Sequence, residues 1–199
     1  MTRRTPSTPP GDEHLRLIPA VIDREPEAVD AWFRAEHPEV FRLCVGFLAD
    51  AEEAEDVAQD AMLHLIDNLT GWDPARSWRS WRSAVVLNLC RDRRRRTSAR
   101  ARAEEAAAAE RLPAVLPDPI AEAAGAEARE ALLACLASLS PREREVFVLR
   151  DLQGARTPEV AATLGIGDSS VRSLLTLARR RLRGLLAERL PQAGGASLG

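Results

Sequence analysis

The chain has no tyrosine and no lysine, only 4 Phe and 4 Trp, and three cysteines in 199 residues. With aromatics at 4%, a core has to be assembled from Leu, Val, Ile and Ala. Helices pack that way more readily than sheets, where β-branched and aromatic side chains are favoured. The expected fold class is therefore all-α. Cys44, Cys90 and Cys135 are far apart, odd in number and form no C-x-x-C pair, which argues against a disulfide framework or a zinc cluster. Their apolar helical surroundings suit small buried hydrophobes. His14, His37 and His64 have no H-E-x-x-H or Cys/His spacing, so no metal ligand set is expected. No run approaches 18 consecutive apolar residues, so no membrane span is expected. The opening MTRRTPSTPPGDEH carries two Arg without the apolar stretch of a secretory leader, and a cytoplasmic chain is expected. No G-x-S-x-G and no nucleophile beside its base occurs, and Gly165-Ile166-Gly167 is too short to cradle phosphate. Nothing points to an enzyme or to a cofactor.

What is present is the balance of a soluble globular protein, 45% apolar and 29% charged. The net charge of −2 says little, but its distribution says more. Residues 50–69 hold Asp50, Glu52, Glu53, Glu55, Asp56, Asp60 and Asp67 with no Arg. Residues 91–102 are Arg-rich against Asp92 alone, and residues 172–189 carry Arg172, Arg179, Arg180, Arg181, Arg183 and Arg189 against Glu188. One acidic and two basic blocks imply separate surfaces for separate partners.

Along the chain, residues 1–27 open in Pro, Thr and Ser and are expected to be a disordered tail. From 28 to 98 apolar residues recur at helical spacing. Residues 99–126, with Pro113, Pro117 and Pro119, have the composition of a flexible or partly helical linker. The periodic pattern resumes over 127–190, and a Gly/Ala/Ser tail spans 191–199. The expected architecture is two small helical domains on a tether.

In the first domain Asp50-Ala51-Glu52-Glu53 opens a helix in the manner of a capping box. Ala54, Val57, Ala58, Ala61, Met62, Leu65 and Leu69 form its apolar stripe. After the turn Gly71-Trp72-Asp73-Pro74, a helix runs from about Ser77 through Trp78, Trp81, Val85 and Leu89 into Arg91–Arg96. Asn88 and Asp92 fall on the Trp81/Val85 stripe, which predicts a hydrogen-bonded site at the core edge. In the second domain Ser140-Pro141-Arg142-Glu143 is a capping box with Pro at the first helical position. Gly154 is a helix stop, Thr157-Pro158-Glu159 starts the next helix, and Gly165 suits a left-handed cap followed by Ile166. Asp168 or Ser169 is expected to cap a last helix buried along Val171, Leu174, Leu175, Ala178 and Leu182.

A short helix, a Gly-containing turn and a second amphipathic helix make a helix-turn-helix pattern, whose second helix lies in the major groove. Its outward side carries Ser169, Arg172, Ser173, Thr176, Arg180 and Arg183, types that reach base edges or phosphates. Leu177 points away from the core, and two readings stand side by side: an ordinary exposed Leu, or a contact with another protein. Arg91–Arg96 lie near Trp72, Trp78 and Trp81, and aromatics beside cations suit an unpaired strand. Ordinary readings stand beside these: a helical hairpin with a solvated basic face, and Trp78 and Trp81 as core.

Phe41-Arg42-Leu43 through Leu48, Ala54-Glu55-Asp56-Val57-Ala58-Gln59-Asp60, then Trp81 and Asn88…Asp92…Arg95-Arg96 resemble region 2 of extracytoplasmic-function (ECF) sigma factors. Leu139-Ser140-Pro141-Arg142-Glu143-Arg144-Glu145-Val146, then Glu159-Val160-Ala161…Leu164-Gly165-Ile166…Val171-Arg172-Ser173 resemble region 4. The resemblance implies a subunit that binds core RNA polymerase, directs it to promoters and helps open the −10 element. It would dock Glu55, Asp56, Gln59 and Asp60 on the polymerase β′ coiled coil. Trp72, Arg76, Ser77, Arg82, Asn88, Arg91, Arg93, Arg94, Arg95 and Arg96 would meet the −10 strand. Ser169, Ser170, Arg172, Ser173, Thr176, Arg179, Arg180 and Arg183 would meet the −35 duplex, with the same domain on the β flap. Many members are also held by an anti-sigma factor. Two departures stand out. Leu174 and Leu177 occupy positions where the family commonly has cations, which should weaken phosphate affinity. Arg82 replaces a usual apolar residue, which would add a DNA contact. The competing functions are a helix-turn-helix regulator of the two-component effector type, and a sigma-like interaction protein that reads DNA weakly.

Overall fold

A computed structural model describes residues 13–107 and 123–189. Among them every regular element is helical. The chain enters through a 3-10 turn, Glu13–Leu17, and a short helix α1, Ile18–Ile22. The expected disorder of residues 1–27 therefore fails over 13–27. Ile18 and Val21 are buried, and apolar burial outweighs the ordering entropy that a tail composition suggested. Residues 1–12 lie outside the described residues.

Helix α2, Pro26–Leu48, starts with Pro26 in its first turn, where the missing N–H costs nothing. It ends at Ala49, whose φ of 57° is left-handed and whose N–H donates to the Val45 carbonyl at 2.8 Å. Helix α3, Ala51–Asp67, follows at once because Asp50 caps it, its Oδ1 accepting from the N–H groups of Glu52 and Glu53, each at 3.0 Å. The reciprocal bond of a full box is replaced. Glu53 instead accepts from Thr97 Oγ1 at 3.0 Å. After a 3-10 turn at Leu69–Gly71, helix α4 runs from Trp78 to Ala107. It thus extends well past Arg96 into the segment expected to be a linker. Pro113, Pro117 and Pro119 lie outside the described residues.

The second half comprises α5, Ala123–Ala137; α6, Pro141–Phe147; α7, Thr157–Leu164; and α8, Asp168–Arg189. Ser140 and Glu143 form both bonds of the capping box. A wide turn at Val148–Leu152 continues α6 until Gly154, at φ 68°, ends it. The cap of α7 sits one residue earlier than the Thr157 start implied. Arg156 N–H and its guanidinium both donate to Glu159. Gly165, at φ 65° and ψ 38°, closes α7, and Ile166 N–H reaches back to the Ala161 carbonyl at 3.1 Å. Asp168 and Ser169 lie inside the first turn of α8, while Gly167 supplies the carbonyl for Val171 N–H. Neither is the cap.

The two modules share a core. Val40, Leu43, Phe47, Val57, Leu65 and Leu87 of the first pack in one cluster with Val146, Val148, Leu149, Val160 and Val171 of the second. A smaller cluster of Cys135, Leu136, Leu139, Ala178 and Leu182 joins α5 to α8. All three cysteines are free and buried, and a hydrogen bond with Cys44, together with burial, pushes the Cys90 thiol far above its ordinary range. The apolar cysteine reading holds.

Candidate nucleic-acid and polymerase interface

Helix α3 buries Ala54, Val57, Ala58, Ala61, Met62 and Leu65, which leaves Glu55, Asp56, Gln59 and Asp60 outward by helical period. All four are exposed. Asp56 accepts from Arg93 Nη2 at 3.2 Å, a surface pair worth little in water. Leu63 is 62% exposed and sits one turn beyond Gln59 and Asp60. Sequence reasoning passed over this exposed apolar side chain beside the carboxylates. Its signal was a Leu lying off the stripe of Met62 and Leu65.

Trp72 is half-buried, its ring 5.2 Å from that of Trp78 at 83°, and Trp78 lies 5.1 Å from Trp81. Trp78 is core, as its period predicts. Arg76 is exposed and 3.8 Å from Asp73. Ser77 Oγ accepts from Ser80 N–H at 3.3 Å, so it opens α4 as a cap. Along α4 the inward line is Trp78, Arg82, Ser83, Val86, Leu87 and Cys90. Trp81 and Val85 are only half-buried and Asn88 is exposed. The hydrogen-bonded core-edge site expected at Asn88 and Asp92 is therefore absent: Asn88 faces solvent and Asp92 pairs with Arg95. The helix is rotated toward Trp78 because that side packs on α2 and α3, where Trp78 meets Trp32 and Cys90 meets Cys44.

Arg82, expected among the DNA contacts, is instead 3% exposed. Its Nη1 donates to Glu36 Oε1 at 2.6 Å and its Nη2 to Gln153 Oε1 at 3.3 Å. Glu36 is fully buried. Trp78 Nε1–H donates to its Oε1 at 3.1 Å, and His14 Nε2 lies 2.5 Å from its Oε2. Burial pushes the Glu36 carboxyl up, but His14 and Arg82 more than offset it and hold the group below its ordinary value. An apolar residue at position 82 would leave that buried carboxylate with His14 and Trp78 alone and without its guanidinium partner, which explains the arginine.

The Arg91–Arg96 run divides into distinct roles. Arg91 donates through Nε and Nη2 to Glu145 at 2.8 and 2.7 Å, and Glu145 is 6% exposed. Arg93 faces Glu53 and Asp56. Arg94 and Arg95, the latter paired with Asp92, line a cleft between α4 and α6 with Arg142 on the opposite wall, and Arg96 is exposed beyond it.

On α8, Val171 and Ala178 are fully buried and Leu182 is 9% exposed. Ser169, Ser170, Arg172, Ser173, Thr176, Arg180 and Arg183 are all exposed. Thr176 Oγ1 donates to the Arg172 carbonyl at 2.9 Å. Arg179 is committed elsewhere: its guanidinium grips Asp151 at 2.8 and 2.6 Å. Leu174 is half-buried against the core and Leu177 is 37% exposed. Among the described residues no group of His, Cys, Asp or Glu is arranged to hold a metal ion. No helix among them is long and apolar enough to cross a membrane.

Comparison with known proteins agrees with this layout. Residues 32–100 match the Sigma-70 region 2 family, and residues 129–182 match Sigma-70, region 4. The chain is 32% identical over 185 residues to the ECF RNA polymerase sigma factor SigM of Mycobacterium tuberculosis, covering 88% of each. It is 30% identical to SigE of Mycolicibacterium smegmatis, covering 90% of this chain and 70% of that one. The fold is shared with CnrH, solved with the cytosolic domain of CnrY: TM-score 0.62, 22% identity, 88% of this chain and 97% of that one. It is also shared with RpoE of Bartonella quintana, solved with the anti-sigma factor NepR: TM-score 0.61, 18% identity, 79% and 95%. With an acidic helix and two basic helices set on the region 2 and region 4 frames, the chain belongs to the ECF RNA polymerase sigma factors.

Proposed function

We propose a division of labour in which α3 attaches the chain to core RNA polymerase, α4 and the loop before it meet the −10 strand, and α8 meets the −35 duplex. The observation that carries this reading is the segregation of exposed charge. Glu55, Asp56, Gln59 and Asp60 share one side of α3, with Leu63 adding apolar area, and suit the basic surface of a coiled coil. Arg76, Arg93, Arg94, Arg95 and Arg96 supply phosphate contacts near Trp72, and Asn88 supplies a hydrogen-bonding side chain. Arg172, Ser173, Thr176, Arg180 and Arg183 line the exposed side of a helix-turn-helix recognition helix. Arg82, buried on Glu36, and Arg179, paired with Asp151 at the surface, have partners within the chain and hold the frame. The chain works in the cytoplasm as a binding factor without catalysis of its own. An anti-sigma factor is a further partner, as it is for RpoE of Bartonella quintana.

Run-off transcription with purified core polymerase on genomic templates tests the assignment. Promoter-dependent transcripts are expected, and their complete absence would sink it. Leu177, where the family carries a cation, favours a second reading of weak −35 recognition. If Leu174→Arg and Leu177→Arg leave −35-dependent transcription unchanged, that second reading loses its basis.

A further inference from the structure

Four arginines in succession, Arg93–Arg96, run directly into Thr97 and Ser98 on α4. Cys90 is the last buried residue of that helix among the described ones, and residues 95–100 are all exposed. Thr97 Oγ1 ties this end of α4 to α3 by donating to Glu53 Oε1 at 3.0 Å. The same carboxylate oxygen lies 3.5 Å from Arg93 Nε, and Arg93 Nη2 donates to Asp56 Oδ2 at 3.2 Å. Arg93 stands four residues before Thr97 and Arg94 three, so the helical period sets both on the side of the threonine. A helix end that buries no side chain unwinds at small cost, which frees both the hydroxyl and an extended backbone around it. Two features thus meet at one hydroxyl. It is accessible, and the cations on its N-terminal side give an acidic enzyme cleft something to select.

We propose that Thr97 is a phosphorylation site, read by a protein kinase that selects arginines before its target, and that the phosphate withdraws Arg93 and Arg94 from the −10 strand. The inference rests on the −10 assignment of those arginines above. In the transfer, Thr97 Oγ1 bonds to the γ-phosphorus of ATP as the bond to the β–γ bridging oxygen breaks. ADP leaves, and the hydroxyl proton passes to a base of the kinase. The product carries a charge of about −1.5 to −2 at pH 7. Placed where the hydroxyl meets Glu53, it repels that carboxylate and replaces it as the partner of Arg93. Arg94, one helical turn back, is within reach of the same oxygens. Guanidinium groups occupied in this way no longer neutralise the phosphates of a strand. The docking residues Glu55, Gln59 and Asp60 take no part in the exchange, so attachment to polymerase is retained.

The test begins with the full chain, ATP and the catalytic subunit of cyclic-AMP-dependent protein kinase, which selects arginines before its target. Mass spectrometry then locates the phosphate. It is expected on Thr97, and in Ser98→Ala it should be found there still. No incorporation, or phosphate elsewhere in place of Thr97, overturns the site. Holoenzyme is next reconstituted from core polymerase and either form of the chain. It is offered a fluorescent single strand carrying the −10 element of a promoter mapped by run-off transcription. The phosphorylated form should bind at least about tenfold more weakly, with a salt slope lower by about 1.4 for two lost phosphate contacts. Phosphatase should restore both, and kinase treatment of Thr97→Ala should change neither. Equal binding by the two forms overturns the proposal. Core polymerase should take up both forms equally. A parallel loss there overturns the mechanism, since it would mean that the first module had been deformed. If the unmodified holoenzyme fails to bind the strand, the −10 assignment has failed instead.

Discussion

At the scale of single residues, the decisive pairs are those with charge inside. Glu36→Ala removes the partner of a buried arginine and should cost about 3–5 kcal/mol in urea unfolding. The Glu36 carboxyl is held below its ordinary value of 4.5. It therefore takes up its proton at a lower pH than it does in the unfolded chain. Its contribution is complete above 4.5 and drains away as pH falls toward the folded value. Glu36→Gln should flatten stability against pH in that acid window, measured by denaturant midpoints from neutral pH down into acid. Among surface residues, Arg172→Ala should weaken duplex binding across sequences and lower the salt slope by about 1 if it meets phosphate. The buried pair was legible in part. Trp32, Glu36 and Val40 share one stripe, as do Trp78, Arg82 and Val86, so a core-facing Glu and a core-facing Arg stood at matching helical positions. Periodicity reports which side a residue is on, but not that two such sides meet. Arg82 was therefore read as a surface cation.

At the scale of elements, the caps were the most readable features, because capping is local chemistry. Asp50, Ser140 and Gly165 behave as their residue types dictate. Gly165→Ala meets open space, so its whole cost is the left-handed backbone, about 1–2 kcal/mol, readable in a thermal melt. The rotation of α4 was not readable. Trp81 and Val85 are apolar enough to look like the inner line, but packing of α4 on α2 and α3 buries Val86 and Cys90, with Trp78, more deeply. On α8, Leu177→Arg should steepen the salt dependence of duplex binding by about 1 in slope, since its exposed position can deliver a cation to phosphate without loss of core.

At the scale of the whole molecule, two modules were evident from composition, but their common core was not. A Pro-bearing connection between periodic segments says nothing about whether the segments touch. Arg144 is the clearest case, since a charged residue between Glu143 and Glu145 looks like surface. Its burial follows from four carbonyls offered by two helix ends that are distant in sequence. Arg144→Ala would leave those carbonyls without donors and should lower stability by about 2–4 kcal/mol. Small-angle scattering should show a larger radius of gyration in the same variant.

The aromatic scarcity has an optical consequence. With no tyrosine, emission comes from tryptophan alone, and Trp32, Trp72, Trp78 and Trp81 all stand in the first module. Their rings sit 5.1 to 5.9 Å apart in a chain of contacts, close enough to share excitation. The second module is dark. Intrinsic fluorescence thus follows region 2 by itself, so a strand stacking near Trp72 and a module departing from α4 can both be timed without attaching a dye.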